Sequence, residues 1–406
     1  MFSKVRLLLN KELQRQRENI CLIASENYVS QDILAVTGSV LTNKYAEGYP
    51  SKRFYRGCEV VDESENLAIE SCKTLFGAQW ANVQPHSGSS ANYAVYLALL
   101  KPGDTILGLD LNCGGHLTHG SPVNFSGKQY QAVTYSLDFE TETLDYDAIL
   151  QIAIEHKPKL IICGFSNYSR TVDFKKFSAI AKQVNAYLLA DIAHIAGFIA
   201  AGLHQNPLPF VDVVTSTTHK TLRGPRGGII MSNNQAIIKK LDSGVFPGCQ
   251  GGPLQHVIAA KYVCFKEALN PKFKQYMQQV KDNALAMANW FLKQGYRVVS
   301  KGTETHLFSL VVGNGKDVAL WLQKANIVLN MNTIPFETKS AFSPSGIRLG
   351  TPAMTTRGFK TNDFIFVASL IDKVIKSNGN QKVISQTKTT VLNLLKRFPL
   401  YKGLAY

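Results

Sequence analysis

The chain has 406 residues, 45% of them apolar and 10% aromatic, with 44 Lys+Arg against 29 Asp+Glu and a formal net charge of +15. That length exceeds one ordinary core and predicts two domains, and the apolar share excludes a disordered chain. No stretch approaches the roughly 20 uninterrupted apolar residues that a membrane helix needs, which excludes a helical transmembrane span.

The chain begins MFSKVRLLLNKELQRQRE, where only three leucines in a row separate charges. A secretory signal needs an apolar core of roughly 7–15 residues, so residues 1–24 read as an N-terminal arm or helix. From about residue 60 helix-like and strand-like segments alternate. Asp62-x-x-Glu65 has the spacing of a helix N-terminal capping box, and Gly77 supplies the stop. Ser87-Gly88-Ser89-Ser90 opens a second helix, Ala91 to Leu100, ended by Pro102-Gly103. The runs TILGL, LIICGF, YLLADIA, VDVVTSTT and GIIMS follow, separated by helix-length stretches. Near-continuous apolar strands alternating with helices predict an α/β fold with a mostly parallel sheet covered on both faces. A helix over about 254–269, a long polar helix over about 272–294 and a strand-helix-strand pattern (RVVS, HLFSLVV, VALWLQKA, IVLN) come next. The expected division is therefore a large domain over 25–270 and a smaller α+β domain over 271–406 with a basic tail.

Charge is unevenly spread. Residues 1–17 carry +4 and residues 373–406 carry +7, which leaves +4 for everything between. Basic ends attract polyanions, but lysines on solvated helix faces give the same balance, and no aromatic-interleaved basic stripe supports base recognition. Nucleic-acid binding is expected to be secondary at most. The seven cysteines stand singly with no CxxC pair. That fits a reducing, cytoplasmic setting without a disulfide framework or a zinc site, and no metal is expected.

Three features carry chemistry. Ser87-Gly88-Ser89 lies just before a helix, where small residues let backbone N–H groups approach an anion. Asp191 ends the strand YLLAD, with His194 three residues on, at the carboxyl edge where parallel sheets bind ligands. Lys220 follows the next strand in TTHKTLRGPRGG, beside His219 and near Arg223 and Arg226. An amine there, among hydroxyls and cations, is a candidate for Schiff-base chemistry. Singly these are a capping turn, a strand-end acid and a loop lysine. Together and in this order they match pyridoxal 5'-phosphate, which needs amide donors for its phosphate, a carboxylate for its pyridine nitrogen and a lysine for its aldehyde.

Longer motifs sharpen this. LIASENYVS (22–30), LTNKYAEGYPSKRFY (41–55), FGAQWANVQPHSGSSAN (76–92), GGHLTHGSPVNFSGK (114–128), DIAHIAG (191–197), TTHKTLRGPRGG (217–228), FPGCQGGP (246–253) and SGIRLGTPA (345–353) resemble the serine hydroxymethyltransferase family. The resemblance covers nearly the whole chain and is weak beyond about residue 378. It implies the pyridoxal-phosphate transferase fold of type I. It also implies transfer of serine's hydroxymethyl carbon to tetrahydrofolate, giving glycine and 5,10-methylenetetrahydrofolate, with side aldolase activity on 3-hydroxy amino acids.

Residue by residue, the resemblance implies that Lys220 holds the cofactor's aldehyde, with His219 beside it. Asp191 pairs with the pyridine nitrogen, and His116 and Ala193 cover the two ring faces. Ser87, Gly88 and Ser89 bind the phosphate, and Ser166 and His194 lie near the phenolic oxygen. Arg348 with Ser25 grips the amino-acid carboxylate, and Glu47 handles a proton at the hydroxymethyl group. Tyr45, Tyr55, Gly251 and Gly252 complete the site from a neighbouring subunit, so a homodimer is the minimum assembly. Leu111, Gly115, Leu117 and Asn332 match folate positions. The departures are a shorter N-terminal arm, Arg56 in place of the usual Gly, Phe336-Glu337 in place of Asn-Asp, and Ser343-Pro344 ahead of Arg348. A folate-independent aldolase is the alternative enzyme, separable by serine turnover without tetrahydrofolate.

Overall fold

The five apolar runs become strands of one seven-stranded sheet in this computed structural model. The model describes residues 2–340 and 342–406, without the side chain of Phe2. In chain order the strands are β1 Trp80–Asn82, β2 Thr105–Leu109, β3 Gln131–Tyr135, β4 Leu160–Gly164, β5 Tyr187–Asp191, β6 Val213–Thr217 and β7 Gly228–Ser232. They lie side by side in the order β1-β7-β6-β5-β4-β2-β3. Neighbours from β6 through β3 pair in parallel, while β7 runs antiparallel to both β6 and β1. Strands β4, β6 and β7 are buried along their whole length, which is why they show no alternation of apolar and charged residues. Strand β3 has exposed residues over most of its length and sits at the sheet edge, so its polar pattern gave no strand signal.

Alternation still sorts the two faces. Leu160, Ile162, Leu189, Val213 and Ile230 point to one side and pack with Ala91, Ala94, Val95 and Tyr96 of helix α2, Gly88–Leu99. Helix α1, Glu59–Phe76, packs on helix α3, Gln255–Ala268. The capping reading of Asp62-x-x-Glu65 is corrected here. The N-cap of helix α1 is Cys58, four residues before Asp62, and it makes no side-chain cap. Asp62 and Glu65 instead accept from Arg53, Nε to Asp62 Oδ1 at 2.8 Å and Nη2 to Glu65 Oε2 at 2.6 Å. A buried guanidinium demands carboxylate partners more strongly than a helix end exposed to water does.

The chain divides into two compact units, Val29–Met277 and Met1–Tyr28 with Gln278–Tyr406. In the second unit Ile20–Cys21 pairs in parallel with Ile327–Val328, so the N-terminal segment folds with the C-terminal residues instead of standing as a separate arm. The unit's sheet comprises β8 Leu307–Val311, β9 Asn330–Asn332 and β10 Gly346–Gly350, antiparallel in the order β8-β10-β9. RVVS forms no strand; Val298 makes a single bridge to Leu310 and a short turn of 3-10 helix follows. The basic tail contains the helix Gln381–Leu395, which buries Ile384, Val391, Leu394 and Leu395 in this unit's core and keeps Lys382 and Lys388 exposed. Arg357 ties the tail down by donating to the carbonyls of Gln16, Arg17, Asn19 and Phe398. Among the described residues no helix is long and apolar enough to cross a membrane.

Candidate active site

Strand β5 delivers Asp191 to the carboxyl edge, and neighbouring elements hold its carboxylate from three directions. Oδ2 accepts from Asn92 Nδ2 at 2.9 Å and from His119 Nε2 at 3.0 Å, and Oδ1 accepts from the Ala193 N–H at 3.1 Å. Asn92 is itself fixed. Its Oδ1 accepts from Thr215 Oγ1 at 2.6 Å, and its amide also donates to Thr118 Oγ1 at 2.8 Å. A side chain at Gly164, on β4, would run into Asp191, so glycine is required there. Burial alone would raise the Asp191 pKa. The hydrogen bond and charge of His119, then His116 and Asn92, outweigh it and hold the carboxyl well below the usual range. Asp191 is therefore an anion at neutral pH.

Asn92 lies one turn inside α2, whose first residues form the anion cradle. Ser87 caps the helix: Oγ accepts from Ser90 N at 3.1 Å, and Ser90 Oγ accepts from Ser87 N at 2.9 Å. The N–H groups of Gly88 and Ser89 head the helix, with no acceptor inside it and the positive end of its dipole behind them. The cradle is closely backed. A Cβ at Gly88 would lie 2.7 Å from Thr217 Cγ2, and one at Gly228 would run into the Ser87 carbonyl.

His116 is half-buried at the end of the 110–115 loop. Its Nδ1 lies 2.7 Å from Thr118 Oγ1 and accepts from Thr118 N at 3.2 Å. Gly115, buried, leaves no room for a Cβ against the Leu109 carbonyl. Ser166 joins the same loop through its N–H, which donates to Gly114 O at 2.8 Å. Lys220 sits half-buried on a turn stitched to the segment after β5. Thr221 Oγ1 donates to His194 O at 3.0 Å and accepts from Gly197 N at 2.9 Å. Burial, then the Arg226 and Lys220 charges, pushes His219 down to about 3, and burial with the His119 charge pushes His116 down to about 4. Both rings are neutral at pH 7.

A pH prediction follows from these two rings. Below about 6.5 the unfolded chain protonates both histidines while the folded chain does not, so stability falls with falling pH. The loss runs from pH 6.5 toward about 4 for His116 and about 3 for His219. Its expected slope is about 1.4 kcal/mol per pH unit per histidine. Urea denaturation across pH 4.5–7 should show that slope reduced in His219→Gln.

A second group in this unit gathers Tyr45, Glu47, Tyr55, Gly251 and Gly252. Tyr45 Oη donates to Glu47 Oε1 at 3.2 Å, and the Tyr45 and Tyr55 rings meet edge-on with centroids 5.0 Å apart. A Cβ at Gly252 would press on the Tyr45 ring, and one at Gly251 would lie 3.0 Å from Glu47 Oε1. Leu111 and Leu117 stand exposed on their loop. In the other unit, Arg348 lies on the central strand β10 and donates from Nε to Asn330 Oδ1 at 3.2 Å. Burial lowers its pKa to about 10, which leaves it cationic. Ser25 and Asn332 are half-buried in the same unit. Sequence reasoning missed Asn92, His119, Thr118 and Thr215 as supports of Asp191. Three of them stand inside motifs quoted for other residues, but their partner is far along the chain.

A helix-headed anion cradle, an anionic carboxylate bonded to a residue one turn into that helix and a lysine on the next strand's loop, at the carboxyl edge of a mostly parallel sheet, define the class of pyridoxal-phosphate enzymes of fold type I. Residues 3–371 match the family model described as serine hydroxymethyltransferase. The chain is 99% identical to the serine hydroxymethyltransferase of Mycoplasma genitalium and 78% identical to that of Mycoplasma pneumoniae, each over the full length of both chains. It is 56% identical to that of Malacoplasma penetrans over 98% of each. The chain belongs to the serine hydroxymethyltransferase family. As a member it is a pyridoxal-phosphate-dependent enzyme that reversibly transfers the hydroxymethyl carbon of L-serine to tetrahydrofolate, giving glycine and 5,10-methylenetetrahydrofolate.

Proposed function

We propose that the residues gathered around Asp191 and Lys220 carry this reaction, with Arg348 and Ser25 supplying the grip on the amino acid. The observation that carries the reading is the Asp191 carboxylate, held anionic by His119 and by Asn92, which lies one turn into the helix headed by the Ser87–Gly88 cradle. These residues fit pyridoxal phosphate: first-turn amides suit its phosphate, the carboxylate suits a protonated ring nitrogen, and Lys220 supplies a primary amine for its aldehyde. When bound, the cofactor supplies the sink for charge developing at the substrate's α-carbon.

The chain's own groups do the rest. Asp191 holds a proton on the ring nitrogen by staying charged beside it. His116 and Ala193 would offer a neutral ring and a methyl group to the cofactor's ring, and Ser166 and His194 would supply polar groups for its phenolic oxygen. His219, kept neutral, adds no charge beside Lys220. Arg348 holds the α-carboxylate with its guanidinium fork, and Ser25 adds a hydroxyl. Glu47, hydrogen-bonded to Tyr45, moves the proton at the substrate hydroxymethyl oxygen, and Tyr55 packs beside that pair. The exposed Leu111 and Leu117 side chains with Gly115 serve the pterin of folate.

Two copies form the working unit. Tyr45, Tyr55 and Phe54 are exposed at 53%, 43% and 76%, and Val40 and Val60 on the same stretch are exposed too. Such an apolar stretch beside site residues suits cover by a second copy. A monomer in sedimentation at assay concentration would overturn this. The seven cysteines, standing singly with no CxxC pair, suit a reducing, cytoplasmic setting for the enzyme. The test of the function is serine turnover by the purified protein with and without tetrahydrofolate. Turnover is expected to require folate; equal rates in both arms would replace the transferase assignment with an aldolase.

A further inference from the structure

Lys261 is a buried cation that the mechanism above does not use. It lies on α3 with 1% of its surface exposed. Its Nζ donates to three main-chain carbonyls: Val83 O at 2.7 Å, Gly228 O at 2.8 Å and Pro85 O at 3.1 Å. An ammonium has three protons and no acceptor capacity, so three carbonyls satisfy it completely. Burial pulls its pKa down to about 7, and three carbonyls around Nζ favour the ammonium over the amine, which has only two protons to give them. A buried ammonium is costly to desolvate, and a methionine would fill the same volume without that cost.

Its placement gives the charge a purpose. Val83 and Pro85 belong to the segment that runs from β1 into the cradle, and Gly228 opens β7. Gly228 N donates to Pro85 O at 2.9 Å, and Gly228 backs directly onto the Ser87 carbonyl. Gly227 lacks a side chain where a Cβ would collide with Lys261 Cε, so the chain leaves the ammonium its slot. The rest of the segment is pinned by side chains. Gln84 Nε2 donates to Glu65 Oε1 at 2.7 Å, and His86 N donates to Gln250 Oε1 at 2.9 Å. Lys261 ties the cradle segment to β7 by its side chain, beside the main-chain bond from Gly228 N to Pro85 O.

We propose that Lys261 is the positioning residue of the anion cradle: its ammonium locks the Val83, Pro85 and Gly228 carbonyls and thereby aims the Gly88 and Ser89 amides at the cofactor's phosphate. The inference rests on the cradle reading above, and the two are separable. The experiment measures Kd of the cofactor-free protein for pyridoxal phosphate and for pyridoxal, which lacks the phosphate. In Lys261→Met the Kd for pyridoxal phosphate is expected to rise roughly 100-fold, with the Kd for pyridoxal changed less than about threefold. Lys261→Gln, which keeps two N–H donors and no charge, should fall between. Equal weakening of both ligands, or of neither, overturns the role of Lys261. An unaltered protein that binds pyridoxal as tightly as pyridoxal phosphate overturns the cradle reading instead. Hydrogen exchange on the unaltered, cofactor-free protein tests the inference without any substitution. The Ser87, His86 and Gly228 amides should exchange slowly before cofactor is added, and fast exchange there overturns it.

Discussion

Lys220→Ala is expected to cut serine–tetrahydrofolate turnover by roughly 10³-fold and to leave the cofactor removable by simple dialysis. In the unaltered protein, borohydride treatment should fix the cofactor's mass on the peptide containing Lys220; in the variant no peptide should carry it. Thr221 holds the turn bearing Lys220, its Oγ1 donating to His194 O and accepting from Gly197 N, so the fold should survive. Unchanged far-ultraviolet circular dichroism would separate loss of chemistry from loss of structure. The same variant tests site sharing. Mixed with Tyr55→Ala protein, it forms hybrids in which one site carries both lesions and the other neither. If Tyr55 acts across the interface, random exchange should restore about a quarter of the unaltered activity. No restoration, with hybrids shown by mass, would place Tyr55 and Lys220 in one subunit's site.

The placement of Asp191 and Lys220 was legible because Asp191 ends an apolar strand and Lys220 lies just past the end of a buried one. In a parallel sheet that pattern marks the carboxyl edge. Five of the seven strands were legible as buried runs; the two edge strands were not, β1 because it is only three residues long and β3 because its residues are largely exposed. What holds Asp191 was not legible. Asn92 and His119 stand 99 and 72 residues away in sequence, and only the sheet order brings them to one carboxylate. Lys261 looked like an ordinary helix lysine, since its acceptors are carbonyls with no sequence signature. Asp62 and Glu65 misled in the opposite sense. Their spacing satisfied a local rule, but a buried Arg53 upstream had the stronger claim on both. The C-terminal helix was read as a charge-bearing tail because its apolar stripe is thin. The charge is real, yet the same helix buries four aliphatic residues in its unit's core.

Asp191→Asn should lower kcat by roughly 10²–10³-fold while changing KM for serine little. An amide has nearly the carboxylate's shape but no charge. The ring nitrogen then loses the anion that keeps its proton, and the deficit grows as charge develops in the transition state. Asp191→Glu, which keeps the charge on a longer stem, should recover part of the loss; a purely structural role would make it the worse substitution, because Gly164 packs directly against this side chain. The pH profile gives an independent reading. Asp191 has its carboxyl depressed in the folded protein, so the stability it contributes is present above about pH 4 and is lost only as pH falls further. Its protonation therefore cannot produce an acid limb in activity between pH 5 and 7. His119, donating to Asp191 Oδ2, should feel the change first. In the unaltered protein the carboxylate favours the Nε2–H form of His119. In Asp191→Asn that bias disappears, and the His119 ring resonances should shift even without substrate. Unshifted His119 resonances, or kcat within tenfold of the unaltered enzyme, would remove Asp191 from the centre of this site.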